Sequence, residues 1–297
     1  MNRKIKSLLA ALCAGAFLIS CEEQGLRSGD EVSDSAADSV KTAVVNVSGK
    51  LFSIPSPVQT AKLIQDAGVP YNREILSDVS KMSEHRTKSA QAMNLGVYGT
   101  DMAYASLYED GQSALKYFKG VDRLSSAVGV RGAINPDLVK RLGGNVGNPD
   151  SLLMLSGKFY READNYLKEN DRIDIAAYVL LGGWVEATYL TAAAAAVGTE
   201  VSRNRLAEQK MTVKTLREAV EQTADQAFLD GEIMTRIYAL EELYGRVKTQ
   251  YTFNEAKVDP EMKRTVINST SVYEMDDELM DEIYGILKDL RKTIAAS

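Results

Sequence analysis

The stretch that decides the fold is AAYVLLGGWVEATYLTAAAAAVG, which covers residues 176–198. Small side chains recur in it at helical spacing, at Gly183, Ala187, Thr191, Ala194 and Gly198. Glycine inside a helix costs about 1 kcal/mol relative to alanine, and close packing of a second helix can offset that loss. The pattern therefore predicts a helix over residues 172–197 that packs tightly against another helix.

A second stripe of small residues lies in AMNLGVYGTDMAYASLYED, residues 92–110. Its members have the same spacing: Ala92, Gly96, Gly99, Ala103 and Ser106. We predict that this helix, residues 84–108, crosses the first in direct contact, with Gly99 and Gly183 near the closest point. We expect Trp184 to pack beside that point.

Two acidic residues lie inside these apolar segments and indicate a possible site. Asp101 and Glu186, together with Tyr98 and Trp184, form a candidate pocket in which the two carboxyl groups would act. Core packing is the competing interpretation, and we favour it because aromatic residues at helical spacing are usually buried. A third interpretation makes residues 175–198 a transmembrane span, in which the central Glu186 would cost about 3 kcal/mol.

Helix signals recur along the rest of the chain. Four prolines follow a short polar residue, as is typical of a helix N-terminus: Ser56-Pro57, Asn135-Pro136, Asn148-Pro149 and Asp259-Pro260. The predicted helices cover residues 57–67, 73–80, 84–108, 111–128, 136–143, 149–169, 172–197, 212–229, 231–250 and 276–294. Strand signals are limited to residues 44–47 and 51–54 and carry little weight. We therefore predict an all-α fold, a single irregular multi-helix bundle over residues 49–297.

The last predicted helix, residues 276–294, has one apolar stripe and a strongly polarised charge pattern. Acidic residues crowd its start, whereas Lys288, Arg291 and Lys292 lie near its end, as the helix dipole favours. A coiled-coil seam needs three or more heptads. We therefore expect the stripe to pack against its own domain.

The N-terminus carries a different signal. Three basic residues precede an apolar run that ends in Leu18-Ile19-Ser20-Cys21. The run is too short to span a bilayer, and its order is typical of a secretory signal. These last four residues resemble the lipobox of bacterial lipoproteins. The resemblance implies that residues 1–20 are a signal peptide, that the leader is cut before Cys21, and that Cys21 receives a diacylglyceryl group and an acyl chain such as palmitate.

The segment after the lipidation site has the composition of a linker. Residues 22–48 hold six acidic residues, many Ser and Ala, and almost no large apolar side chain before Val44. Such a segment cannot bury enough surface to offset its ordering entropy. We therefore predict that residues 21–48 are a lipidated cysteine followed by a disordered acidic tether.

Composition excludes several functions. Removing residues 1–20 takes away three basic and no acidic residues, so the formal charge moves from −6 to −9, which argues against nucleic acid as a partner. Cys13 leaves with the leader and Cys21 is lipidated, so no thiol remains for a disulfide or a metal. His85 is the single histidine and is expected to be exposed. We accordingly assign no metal ligand, no cofactor and no catalytic residue.

Three segments, NLGVYGTDMAYASLY, LLGGWVEATYL and NPDSLL, resemble a group of uncharacterised lipoproteins from Bacteroidetes. That resemblance implies attachment to the cell envelope, at the outer membrane or the cell surface. Two functions stay open. The first is a lipid-anchored, non-enzymatic binding or scaffold domain with an envelope protein as partner. The second is a carboxylate-dependent hydrolase of envelope glycans, which would need two carboxyl groups about 5–9.5 Å apart in an open groove.

Overall fold

The computed structural model describes residues 42–47, 50–55, 57–130, 172–259, 264–266 and 269–297, with isolated positions between 137 and 155. Over these residues the chain is an irregular bundle of nine α-helices with three short antiparallel strand pairs. The predicted all-α fold is confirmed. The predicted signal peptide, Cys21 and most of helices 136–143 and 149–169 lie outside the described residues.

The elements follow one another along the chain with two 3₁₀ turns, Arg73–Ile75 and Val79–Ser83, between the first two helices. The helices are α1 (Pro57–Asp66), α2 (Lys88–Leu107), α3 (Gly111–Ala127), α4 (Ile173–Ala196), α5 (Glu200–Ala207), α6 (Gln209–Glu221), α7 (Gln226–Leu229), α8 (Glu232–Gly245) and α9 (Asp277–Ala296). The strands are β1 (Thr42–Val47), β2 (Lys50–Pro55), β3 (Lys248–Thr252), β4 (Lys257–Asp259), β5 (Arg264–Val266) and β6 (Thr270–Glu274).

Helix α4 is the central helix of the bundle. It packs against α2 and also contacts α1, α5, α6 and α9, so side chains on all of its faces are buried. Among the described residues it is the one helix long and apolar enough to cross a membrane, yet 78% of its most apolar window is buried inside the protein. Burial by protein on all sides explains its apolar composition without a lipid environment.

Helices α2 and α4 cross in direct contact, as the two small-residue stripes predict. A Cβ built on Gly96 would lie 2.1 Å from the carbonyl oxygen of Val179, and one on Gly182 would lie 1.9 Å from that of Met93. A Cβ on Gly183 would sit at 3.5 Å from the Gly96 oxygen, an ordinary contact. The closest backbone approach therefore involves Gly96 and Gly182. Gly183 lies near it, as predicted, because a Cβ on Gly96 would lie 2.5 Å from the Gly183 nitrogen, whereas Gly96, one turn earlier, takes the place predicted for Gly99.

Polar caps set the helix starts. The side chains of five residues each accept a hydrogen bond from a backbone N–H in the first turn of the helix that follows: Thr87, Asp110, Thr199, Asp225 and Asp276. The Asp225 cap also explains one error, because it starts the short α7 and divides the helix predicted over residues 212–229. The segment predicted as residues 73–80 forms two 3₁₀ turns instead of an α-helix.

Strands occupy more of the chain than the sequence indicates. β1 pairs with β2, matching the two weak strand signals, and β1 takes up the last residues of the segment predicted as a tether. The helix predicted over residues 231–250 ends at Gly245, after which β3 pairs with β6. Between them along the chain, β4 pairs with β5. Alternating Thr, Tyr and Val residues suit these strands.

Candidate functional site

The α2–α4 crossing brings together the two acidic residues that the sequence singles out. Asp101 lies on α2 and Glu186 on α4, and both side chains are fully buried. The Thr100 hydroxyl strengthens the crossing, because its oxygen lies 3.0 Å from the Gly96 carbonyl oxygen and 3.3 Å from that of Gly183. Glu186 lies close enough to Asp101 for its negative charge to raise the pKa of the Asp101 carboxyl, so the two acids are neighbours inside the tightly packed helix pair.

Arg291 on α9 is the cation of this cluster. Its Nε donates to Glu186 Oε2 at 2.6 Å, and its Nη2 donates to the Ser77 hydroxyl at 3.0 Å. The guanidinium also lies over the Tyr189 ring, 4.4 Å from the ring centre, as in a cation–π contact. Burial alone lowers the pKa of Arg291, but the neighbouring Glu186 carboxylate outweighs that effect and raises it. Arg291 is therefore charged at every accessible pH.

Ser77 holds the loop between the two 3₁₀ turns onto the same cluster. Its backbone N–H donates to Asp101 Oδ2 at 3.0 Å, and its carbonyl oxygen accepts from the Tyr117 hydroxyl of α3 at 2.5 Å. With the contact from Arg291, this one loop residue connects α2, α3 and α9. The cluster is thus a structural junction between the loop and the bundle.

Each carboxyl group keeps one oxygen without a donor. Asp101 Oδ1 and Glu186 Oε1 are buried and have no hydrogen-bond partner. Burial is the largest cause that raises the pKa of Asp101 well above its ordinary range, and the negative charge of Glu186 is the second. The positive charge of Arg291 acts in the opposite direction and lowers this pKa. Burial and the neighbouring carboxylate therefore both favour the neutral form of Asp101.

Tyr98 joins the cluster from the neighbouring turn of α2. Its ring packs against that of Tyr117, with 6.1 Å between the ring centres. Its hydroxyl lies 3.1 Å from Nε2 of His85, whose Nδ1 lies 3.2 Å from the main-chain oxygen of Ser297. His85 is only 4% exposed, so the prediction of an exposed histidine is wrong. The Thr87 cap starts α2 two residues later and leaves His85 in a turn that folds back onto the helix.

Trp184 does not belong to this group. Its indole N–H donates to Gln209 Oε1 of α6 at 2.9 Å. Residues two apart on a helix project in nearly opposite directions, so Trp184 and Glu186 point to different neighbours. Tyr98, Asp101, Trp184 and Glu186 are each at most 3% exposed. The candidate pocket is consequently packed core, as the competing interpretation held.

A second polar cluster lies at the end of α2. Asp110 accepts hydrogen bonds from the Tyr71 hydroxyl at 2.8 Å and from the Arg73 guanidinium at 2.6 Å. The Tyr71 ring stacks on Tyr108 with 5.3 Å between ring centres. Burial raises the pKa of Asp110, but the bond from Arg73 and the other donors outweigh it and hold the pKa well below its usual range. These contacts attach the first 3₁₀ turn, Arg73–Ile75, which precedes the Ser77 loop.

Sequence reasoning missed the residues that complete the first cluster. Ser77 lies in a loop with no distinctive sequence pattern. Tyr117 has the spacing of an ordinary aromatic residue on the apolar face of an amphipathic helix. The sequence pattern relates Arg291 only to the helix dipole, along with Lys288 and Lys292. One signal does separate it: Arg291 follows Met280, Tyr284 and Leu287 at steps of four, three and four, so it borders the buried face of α9.

Within the described residues, no three His, Asp or Glu side chains converge as ligands for a metal. No protein-family model, curated protein or solved structure matches this chain. Its class is therefore defined by its own architecture: an all-α bundle built on a glycine-mediated helix crossing, with a cluster of two buried acids and one arginine at that crossing.

Proposed function

We propose that this protein is a lipid-anchored protein of the cell envelope, attached at the outer membrane through Cys21, and that its helical domain is a non-enzymatic binding or scaffold domain. The observation that carries the binding role is the exposed aromatic surface of the ribbon formed by β3 and β6. Tyr251 is 64% exposed and Phe253, directly after β3, is 73% exposed.

The register of this β3–β6 ribbon supports the assignment. Tyr251 lies opposite Ser271, and Thr249 lies opposite Tyr273. Side chains two residues apart on a strand share a face, so Tyr251 lies on the same face as Tyr273, which packs against the core. That face thus continues from the bundle into an exposed part of the ribbon. Among the described residues neither β3 nor β6 pairs with a further strand. Exposed apolar side chains on such a two-stranded ribbon are typical of protein-binding surfaces.

The core cluster argues against the hydrolase alternative. A glycosidase needs an acid and a base, or an acid and a nucleophile, on the walls of a cleft that a sugar can enter. Asp101 and Glu186 are fully buried. Glu186 forms an ion pair with Arg291, Asp101 accepts a hydrogen bond from Ser77, and both contacts hold the bundle together. The two acids that motivated the alternative therefore have a structural role that accounts for them.

The ribbon is tested by replacing its aromatic residues in the anchored protein. We expect the double variant Tyr251→Ser/Phe253→Ser to lose a partner that cross-links to the parent in intact envelopes. Aromatic anchors commonly contribute about 2 kcal/mol each to binding, or about 30-fold in affinity. Titration of the purified partner against the parent and the variant measures how much affinity is lost.

A matched control removes an exposed apolar side chain elsewhere. Leu115 on α3 is 43% exposed and lies far along the sequence from the ribbon. Leu115→Ser should retain the partner at parental affinity. Equal binding by the parent and the ribbon variant would contradict the ribbon as the binding surface, and equal loss in both variants would indicate a nonspecific hydrophobic contact.

The anchor is tested separately from the ribbon. Because only a cysteine thiol can receive the diacylglyceryl group, we expect Cys21→Ser to abolish incorporation of labelled palmitate and to leave the leader uncleaved by the lipoprotein pathway. Metabolic labelling followed by electrophoresis measures both effects. Cys13→Ser, inside the leader, is the control and should label normally. Unchanged labelling of Cys21→Ser would end the lipoprotein proposal.

A further inference from the structure

The buried cluster at the α2–α4 crossing has an unequal count of charges. Two carboxyl groups, Asp101 and Glu186, face one guanidinium, that of Arg291. Both acids are fully buried, and the Arg291 side chain is 17% exposed. If both acids were ionised, the cluster would carry one uncompensated negative charge, which is strongly unfavourable in a low-dielectric interior. It would also keep two unpartnered carboxylate oxygens inside the protein.

We propose that Asp101 and Glu186 form a buried proton-binding site. One proton stays on the Asp101 carboxyl, which donates a hydrogen bond to the Glu186 carboxylate. A single proton resolves both problems, because it makes the cluster electrically neutral and gives each free oxygen a partner. Asp101 Oδ1 becomes the donor and Glu186 Oε1 the acceptor. The arrangement is that of two carboxyl groups sharing one proton because both cannot ionise at close range.

The contacts decide which acid carries the proton. Glu186 accepts a charge-assisted bond of 2.6 Å from Arg291, so a negative charge on Glu186 has a counter-charge beside it. Asp101 accepts only a neutral backbone N–H, that of Ser77, at 3.0 Å. The proton accordingly belongs on Asp101. The hydrogen bond from Ser77 then holds Oδ2, the unprotonated oxygen of the Asp101 carboxyl.

The phenol side chains facing the pair stay neutral. Tyr98 on α2, Tyr117 on α3 and Tyr189 on α4 surround it, and burial raises the pKa of each of these phenols, that of Tyr189 to about 12. Asp78, beside Ser77 in the loop, is exposed and bonds to Ser80 instead. Among the described residues, Arg291 is therefore the one charge that compensates Glu186.

The proton site has a consequence for the loop that holds Ser77. Protonation lets Asp101 accept from Ser77 and donate to Glu186 at the same time, so the loop, α2, α4 and α9 are connected through one network. Loss of the proton would place two carboxylates against each other beneath the loop. The loop should therefore loosen when the proton leaves, which hydrogen exchange at the Ser77 amide would report.

The decisive test compares the pH dependence of unfolding of the full chain with that of Asp101→Asn. An asparagine amide accepts from Ser77 and donates to Glu186 with no proton from solution. A group whose pKa is raised by folding stabilises most below its unfolded pKa, about 3.9 for Asp, and that contribution falls as pH rises toward the folded pKa. Each proton taken up on folding changes the equilibrium constant tenfold per pH unit.

The folding equilibrium constant of the parent, divided by that of Asp101→Asn, should thus fall about tenfold per pH unit above about pH 5. The ratio should level off beyond the folded-state pKa of Asp101. The control Glu186→Gln should also lose this slope, because Asp101 then ionises as the partner of Arg291. A parent-to-Asn ratio that is constant with pH would overturn the proposal, since it would show an ionised Asp101.

A second measurement keeps the proposal testable if a variant fails to fold. The infrared spectrum of the folded parent at neutral pH should contain the C=O stretch of a buried protonated carboxyl, and titration to alkaline pH should remove it. Absence of that band overturns the proposal. So does a parent melting temperature that rises with added Na⁺ or Ca²⁺ at fixed pH, because a metal cation would then occupy the position of the proton.

Discussion

Gly182→Ala should destabilise the bundle by about 3 kcal/mol or more, the upper range for inserting one methyl group into a packed core. The added Cβ would meet the carbonyl oxygen of Met93 at 1.9 Å and its Cα at 2.8 Å. These are backbone atoms of α2, so no side chain can rotate to relieve the clash. Either the two helices must separate or α4 must bend at its centre.

The neighbouring glycine provides a matched control. A Cβ on Gly183 has its nearest contact at 3.5 Å, so alanine fits there. Gly183→Ala should even gain up to about 1 kcal/mol from the better helix propensity of alanine. Chemical denaturation of both variants measures the difference. Equal stabilities for Gly182→Ala and Gly183→Ala would show that α2 and α4 do not approach as described.

Gly96→Ala extends the same test to the facing helix. Its Cβ would lie 2.1 Å from the Val179 carbonyl oxygen and 2.5 Å from the Gly183 nitrogen. We expect a loss comparable to that of Gly182→Ala. Because both glycines serve one helix contact, the two changes should be non-additive in a double variant. Full additivity would mean that the two positions destabilise the bundle independently.

Arg291→Met should cost about 3–5 kcal/mol, the range for removing one partner of a buried ion pair. Methionine keeps much of the packing volume but leaves the Glu186 carboxylate without its counter-charge and the Ser77 hydroxyl without its donor. Thermal or denaturant unfolding near neutral pH measures the loss.

The control is an exposed ion pair that also involves α9. Arg246 donates to both carboxylate oxygens of Glu282, and both side chains are well exposed. Surface pairs contribute about 0–1 kcal/mol, so Arg246→Met should have little effect. If Arg291→Met were as mild as Arg246→Met, the Glu186 carboxylate would not depend on Arg291, and the charge balance of the core would need another explanation.

Local patterns in the sequence determined the fold class and the helix pair at its centre. Glycine lowers the stability of a helix at any interior position, so a compensating contact is expected where it occurs. Two helical stripes of small residues therefore indicate a close crossing of two helices. Polar caps and one-sided apolar spacing similarly located α3 and α9 to within one or two residues. These signals depend on neighbours within about one helical turn, which a single sequence displays directly.

Contacts distant in sequence were decided only by the tertiary structure. Which glycine meets the facing backbone depends on the rotation and offset of α2 against α4, and a stripe of small residues fits several offsets. Likewise, Arg291 lies 105 positions from Glu186 and 214 from Ser77, and nothing in their local patterns relates them. The signal peptide and Cys21 remain predictions from sequence. The acid–arginine cluster exists because packing brings α2, α4, α9 and the Ser77 loop to one point in the bundle, where two acids and one arginine meet.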